Sequence, residues 1–554
     1  MPEPTPQPAP RASATVVVVR DSPQGLEVLL LRRAERGDLN SGAWVFPGGM
    51  VDAGDRAAHA CCLGLTDAAA SAQLGVAEGG LDYFIAAVRE CFEESGLLMA
   101  VDEHGTLPAL QGEDGHRVGA WRGPMHRGER TLAALCQAEG LRLAVDRLAY
   151  LSHWITPPGR PKRFDTRFFI ATAPAGQDSA HDTTETVEQR WLRPADALAA
   201  SAALKLMTPT QKTLETIAPF ADTAALMAWA RGPRRIDIIT PHVGRGRDGP
   251  RPVMPDEPAW AELRHIDPEG RGHGCYDIQP GVAVRVSPRV IRVTANNGNQ
   301  MTGPGTNTYL VGGGADNRWA VIDPGPLDAT HLEAILAAAP GPIGWIFATH
   351  THVDHSPACA PLAARTGAPV HGRIAAHPEW QDAGFAPQVL LHGGERFVLD
   401  GATLRAIHTP GHASNHICYL LEEERLLFTG DHVMQLSTVV INPPDGDMAA
   451  YLASLRALLT EPLEWIAPGH GFLMAQPHRA IEAIVAHRLR REAKVIEALQ
   501  ALAPASEAAL LERVYADVPA RLHPVALRSL RAHLFKLRDD AAAAQHGALW
   551  QLRA

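Results

Sequence analysis

The sequence predicts a multidomain protein of the α/β and α+β classes, on three observations. At 554 residues the chain is too long for one core, and about 150 residues per domain suggests roughly three to four units. Strand and helix signals alternate through two long regions, separated by the Pro- and Gly-rich run RGPRRIDIITPHVGRGRDGPRPVMPDEP and then DPEGRGHG. From His478 onward the apolar residues follow a helical period. The composition, 46% hydrophobic and 20% charged, is that of an ordinary globular protein, and a net charge of −10 excludes whole-chain attraction to nucleic acid or an anionic membrane.

The opening MPEPTPQPAPRASA is Pro-rich and has no apolar core, so residues 1–12 read as a disordered tail and not as a signal peptide. TVVVV, a turn at Gly25 and LEVLLLRR then predict a β-hairpin that opens a first domain over 13–265. Residues 266–280 read as a linker. A second domain over 281–477 starts with the strand signals VAVRVSPRVIRVTA and TNTYLVGGG. A helical domain over 478–554 closes the chain, with segments at 478–502, at 506–516 and from Pro524. The seven cysteines are scattered without a CxxC pair, which argues for a reducing compartment and a cytoplasmic protein. No run of 18 apolar residues exists, so no membrane partner is expected.

The stretch RECFEESGL holds the first candidate site. On a helix over 84–95, Phe84, Ile85, Val88, Cys91 and Phe92 share one face, and Glu90, Glu93 and Glu94 share the other. Gly96 is the expected stop. Like charges at this spacing repel by only about 0.2–0.5 kcal/mol per pair, so a solvated acidic face and a hard-cation site both fit these residues.

Upstream stands WVFPGGMVDAGD, and together the two stretches resemble a Nudix box. Gly49, Arg89, Glu90, Cys91, Glu93, Glu94, Gly96 and Leu97 match. Asp55 stands where the family has Glu, and residues 56–88 fill the place of a seven-residue spacer. The resemblance implies an α/β/α sandwich with this insertion. It implies Mg²⁺ or Mn²⁺ held by Glu90, Glu93 and Glu94, with Glu90 catalytic, Gly49 and Arg89 in support, and hydrolysis of a small-molecule diphosphate. LLLRRAERGDLNSGAWVFPGG and ITPPGRPKRFDTRFF resemble the coenzyme A diphosphatase branch. Leu29, Leu30, Arg33, Ala34, Gly42 and Phe46 to Gly49 fit, while Leu31 and Asp38 depart. A CoA-like or nucleotide-linked substrate follows from that resemblance. Arg160, Lys162, Arg163 and Arg167 read either as a phosphate clamp or as a solvated basic strand edge.

The second candidate site is THTHVDH, after the strand-like IGWIFA. Imidazoles and a carboxylate this dense suit zinc. His412, Asp431 and His470 follow in HTPGHASNH, LLFTGDHV and WIAPGHG. The series resembles the metallo-β-lactamase superfamily, which implies an αββα sandwich and two Zn²⁺. By that resemblance His350, His352 and His412 hold one ion, Asp354, His355 and His470 the other, and Asp431 bridges. Asp354 is also the catalytic candidate that orients or accepts a proton. His408 and His432 read as structural neighbours, and His416 as structural or substrate-facing. NNGNQMTGPGTNTYLVGGG and the tail resemble a lactamase-B-like branch with single-stranded-RNA endonuclease activity and a winged-helix-like domain. The TPGH and GD contexts also resemble glyoxalase II, a thioesterase. For the zinc half the resemblance favours a phosphodiesterase acting on single-stranded RNA, with a glyoxalase II-like thioesterase or small-molecule ester hydrolase as the alternative. The first half reads as a diphosphatase, with a non-catalytic ligand-binding regulatory module as the alternative.

Overall fold

The computed structural model describes residues 8–35, 41–106, 108, 110–182, 184–377, 381–435 and 437–553. The chain divides into two compact units. The first holds the residues up to His242 with Glu269–Arg271, and the second holds Val243–Pro268 with everything from Gly272 on.

In the first unit, strand Arg11–Ser22 pairs antiparallel with Gly25–Arg33, which is the expected hairpin. The strand begins at Arg11, inside the stretch assigned to a tail, because Arg11 and Ala12 pair with Phe164 and Asp165 of a distant parallel strand. Residues 1–7 of that stretch lie outside the described residues. Val16 to Val19 are all fully buried, as a strand covered on both faces requires. The eight-stranded sheet receives helix Gly80–Ser95, which buries Phe84, Ile85, Val88, Cys91 and Phe92 and stops at Gly96, whose N–H donates to the Phe92 carbonyl at 2.9 Å. The helix starts at Gly80, so part of the presumed insertion 56–88 already belongs to it. The remainder folds as a 3₁₀ segment, Asp55–Cys61, and a helix, Asp67–Leu74, capped by Thr66.

In the second unit two sheets, of seven and six strands, face each other. Side-chain alternation builds the layers. Along Ile417–Leu421, Ile417, Tyr419 and Leu421 join the core between the sheets, while Cys418 and Leu420 face the outer helices. Helices Ala329–Ala338 and Cys359–Thr366 cover one outer face, and Met448–Leu458 and Pro477–Leu502 the other. This is the expected αββα order. The tail adds helices Glu507–Val514 and His523–Asp539 and a three-stranded sheet of Ala505–Ser506, Ala543–His546 and Leu549–Leu552. The helical period read from His478 on does not extend to AAAAQHGALW, an Ala-rich run that pairs as strands. Tertiary packing overrides its propensity by burying Trp550 completely.

The boundary differs from the expected linker at 266–280. Helix Trp260–Ile266 belongs to the second unit, where Glu262 and Arg292 form a buried bidentate pair and Glu262 also accepts from the Leu473 N–H at 2.8 Å. Hydrophobicity along the chain carries no trace of this long-range pair. Deleting one partner of a buried pair costs about 3–5 kcal/mol. A fragment beginning at Val243 is therefore expected to unfold at a clearly higher urea concentration than one beginning at Gly281. Equal midpoints would contradict the assignment. All seven cysteines are free, and among the described residues no helix is long and apolar enough to cross a membrane.

Candidate metal centres

Four strand ends of the second unit deliver the histidine–aspartate cluster. Strand Ile343–Phe347 leads to His350, His352, Asp354 and His355, and Thr403–His408 leads to His412. Strand Leu426–Gly430 leads to Asp431, and Trp465–Pro468 to His470. Gly430 sits at φ +44°, and a Cβ there would meet Thr349 Oγ1 at 2.4 Å, so only glycine lets the chain pass this close and place Asp431.

All seven side chains predicted from sequence converge. The ligand atoms of His350, His352 and His412 lie within 4.8 Å of one another, and so do those of Asp354, His355, Asp431 and His470. Asp431 joins the two groups, with Oδ1 3.1 Å from His470 Nε2 and Oδ2 3.6 Å from His412 Nε2. The opposite edges of the rings are anchored. His355 Nδ1 meets Asp323 at 2.8 Å, His412 Nδ1 donates to the Val440 carbonyl at 2.7 Å, and His470 Nδ1 to the Gly305 carbonyl at 3.1 Å. His350 Nδ1 meets Thr349 Oγ1 at 3.0 Å, and Thr306 Oγ1 donates to Asp354 at 3.1 Å. Such partners fix ring orientation and aim the remaining nitrogen inward.

The cluster fits a metal on its own geometry. His355 Nε2 and Asp431 Oδ1 are buried 3.3 Å apart yet have no hydrogen-bond partner. They are close without pointing at each other, as atoms aimed at a shared third point are. Burial and neighbouring imidazoles hold His350 well below the usual histidine range. Burial opposes charge on His470, but Asp431 and Asp354 outweigh it and raise it to about 9. A cation held by the same carboxylates and His470 would displace that proton. His416 is fully buried, stacks on His350 at 5.1 Å between ring centroids and meets Thr409 through Nδ1, so it faces the cluster and not open solvent. His432 meets Ser454, and His408 donates to the Ser414 carbonyl.

The first unit's glutamates are less convergent. Glu93 and Glu94 are buried, so the helix face is not a solvated acidic one. Arg89 donates to both Asp55 oxygens, to Glu90 at 2.8 Å and to the Met50 carbonyl at 2.7 Å. Asp55, itself buried, is thus a partner of Arg89. Glu93 lies on the Arg89 side, 3.7 Å from its guanidinium, and Glu90, Glu93 and Glu94 form no group within 4.8 Å. Glu94 instead accepts from the Gly48 N–H at 3.0 Å, and burial pushes it well above the usual carboxylate range, with Glu90 and Glu185 adding to the effect. Glu185 was missed in the sequence, where it stands alone. Glu90 and Glu185 both act on Glu94, so carboxylates gather here beside the Arg89 guanidinium.

Gly49 faces Glu90 so closely that a Cβ would lie 2.3 Å from its Oε1. Gly49→Ala is expected to displace Glu90 and lower diphosphate hydrolysis about 10²-fold, since a misplacement near 1 Å costs about that much. Unchanged kcat/KM would remove the loop from the site.

Arg167 is buried and paired with Asp165 and Tyr83 on an interior strand, which corrects the solvated-edge reading for it. Leu29 and Leu30 are core residues, and Asp38 lies outside the described residues.

Three family models match in order. The NUDT19 Nudix domain covers 66–213, the metallo-beta-lactamase superfamily 301–470 and the beta-lactamase associated winged helix domain 506–550. A beta-lactamase-like protein 2 homolog of Caenorhabditis elegans is 30% identical over 260 residues, 46% of this chain and 86% of that protein. The chain belongs to the metallo-β-lactamase superfamily. An atrochrysone carboxyl ACP thioesterase of Aspergillus fumigatus is 34% identical to this superfamily member over 249 residues, 42% of this chain and 76% of that one. A lactamase-like protein of Pestalotiopsis microspora is 34% identical over 226 residues, 39% of this chain, and the chain spans 65% of its length. The metallo-β-lactamase and Nudix domains are both of hydrolase families, and the chain joins one of each.

Proposed function

We propose that the second unit is a dizinc hydrolase cleaving an acyl thioester, joined to a Mg²⁺- or Mn²⁺-dependent diphosphatase for a CoA-type or nucleotide-linked diphosphate. The observation that carries the zinc reading is the pair of buried, unpartnered atoms, His355 Nε2 and Asp431 Oδ1, inside a seven-residue nitrogen and oxygen donor set. His350, His352 and His412 would hold one ion, and Asp354, His355, Asp431 and His470 the other. Bound, the metals supply Lewis-acid polarisation and an activated water at neutral pH. Asp354, which accepts from Thr306, would orient that water and take its proton. His416 backs His350, and Thr349 and Asp323 keep the rings aimed. In the first unit Glu90 and Glu94 would hold the cation, with Glu90 as the catalytic carboxylate.

Thioester is preferred to RNA in part because five of the twelve Lys and Arg side chains from His478 on are spent on carboxylates of the same domain. Arg491 and Lys494 pair with Asp517, Arg531 with Glu507, Lys536 with Glu492 and Asp540, and Arg538 with Asp539. A nucleic-acid footprint needs a stripe of cations free to meet phosphates. The thioesterase-named relative supports the same preference. RNA stays as the second reading on one observation, the winged-helix match at 506–550. Seven free thiols suit a reducing, cytoplasmic setting.

The deciding experiment gives the purified chain a long-chain acyl-CoA and, separately, single-stranded RNA. Release of free thiol, abolished by chelation, is expected, together with Mg²⁺-dependent release of an adenosine phosphate. Chelator-sensitive RNA cleavage with the thioester intact would overturn the first reading in favour of the second. A first unit that binds CoA without cleaving it would be a binding module.

A further inference from the structure

We propose that Arg488, on helix Pro477–Leu502 of the C-terminal region, is a positioning residue for the histidine–aspartate centre. The proposal rests on the reading that this centre binds metal. Arg488 is 3% exposed and lies in the helix-to-sheet layer, among apolar side chains such as Val439, Tyr451 and Ile481. Its Nη2 donates to the Val439 carbonyl. The next carbonyl along the chain, Val440, accepts from Nδ1 of His412 at 2.7 Å. Residues 437–442 belong to no helix or strand, so no sheet ladder fixes the direction of these peptides. The guanidinium does so from the side.

A second contact leads to the same centre. The guanidinium lies over the Tyr451 ring, 5.6 Å from its centroid, and the Tyr451 hydroxyl donates to the His432 carbonyl at 2.9 Å. His432 directly follows Asp431. One side chain thus touches the residue before the His412 support and the tyrosine that holds the residue after Asp431, and His412 and Asp431 follow different strands.

The chemistry of the placement argues against plain packing. No carboxylate among the described residues pairs with Arg488, and its Nε has no partner. A buried cation without a counter-ion is expensive, and an apolar side chain of similar volume would fill this layer at lower cost. What arginine adds is a rigid donor at the Val439 carbonyl. Without it the 439–440 peptide is free to turn, the adjoining 440–441 peptide that carries the Val440 carbonyl loses its fixed direction, and the His412 imidazole loses its fixed orientation and tautomer. Losing such a support typically weakens metal affinity by about 10–100-fold. The C-terminal region is then part of the metal site's frame, not an appendage to it.

The test uses the full chain, stripped of metal and titrated with Co²⁺, whose visible absorption reports ligand geometry. Wild type is expected to take up two ions. R488M, of similar length but without donors, should bind one of them about 10–100-fold more weakly with an altered spectrum, and R488K, which keeps one donor and the charge, should recover most of the loss. I481A, which opens a hole in the same layer without touching residues 439–440, should lower Tm but keep wild-type Co²⁺ affinity and spectrum. Wild-type affinity and spectrum in R488M would overturn the proposal, and so would a loss in I481A equal to that in R488M. Failure of wild type to bind Co²⁺ at all would sink the metal reading itself, and this inference with it.

Discussion

Asp431→Asn is expected to lower thioester hydrolysis by about 10³-fold or more and to cost the protein at least one metal ion per chain. The residue's two oxygens serve different groups, Oδ1 toward His355 and His470 and Oδ2 toward His412. Asparagine keeps the shape but loses the charge and one acceptor oxygen. A Lewis-acid contribution of several kcal/mol, at about 1.36 kcal/mol per factor of ten, sets the size of the effect. The charge also governs the metal-free centre, because Asp431 is the chief group raising His470 against its burial. The measurement pairs kcat/KM with metal content by mass spectrometry of the native protein. A variant that keeps both ions and activity within tenfold of wild type would remove Asp431 from the centre.

Glu94→Gln is expected to have opposite effects on activity and on metal-free stability. Diphosphate hydrolysis should fall about 10³-fold, by the same arithmetic. Without metal, the variant should be the more stable protein at pH 7. Burial and the nearby Glu90 and Glu185 raise the Glu94 carboxyl well above its ordinary value, so the folded state binds more protons than the unfolded state. Stability then falls as pH rises from the unfolded value, near 4.3, towards the folded one, by up to about 1.36 kcal/mol per pH unit. Glutamine escapes this loss and can still accept from the Gly48 N–H. Urea midpoints of chelator-treated protein should coincide near pH 4 and separate above it, with the variant higher. Mg²⁺ should raise the midpoint of wild type alone. A variant less stable than wild type at pH 8 without metal would show that Glu94 is satisfied by the protein itself.

The histidine–aspartate cluster was legible because its side chains are dense in the sequence. Four lie between His350 and His355, each of a type that water-exposed surfaces do not need in such number, and His412, Asp431 and His470 each follow a strand signal. The acidic helix was legible in the same way, since a 3.6-residue period separates Phe84, Val88 and Phe92 from Glu90 and Glu94. Its partners were not. Asp55 looked like a doubtful substitute across a long spacer, and only the fold shows it gripping Arg89. Glu185 carries no motif, and the sheet alone brings it near Glu94.

By itself the sequence determined the fold classes, the order of the domains, the hairpin at Gly25, both charged clusters and the seven converging ligands. Those features are written in local periodicity and residue type, which act over a few positions. Tertiary structure alone decided that the division falls after His242, that Glu262 pairs with Arg292, that Glu93 turns to Arg89 while Glu185 acts on Glu94, and that Arg488 reaches the Val439 carbonyl. Each of these is a contact between residues distant along the chain, in which one buried polar group satisfies another. Burial makes such pairs obligatory, because an unpaired polar group in the interior is costly, but it does not mark the partners in the sequence.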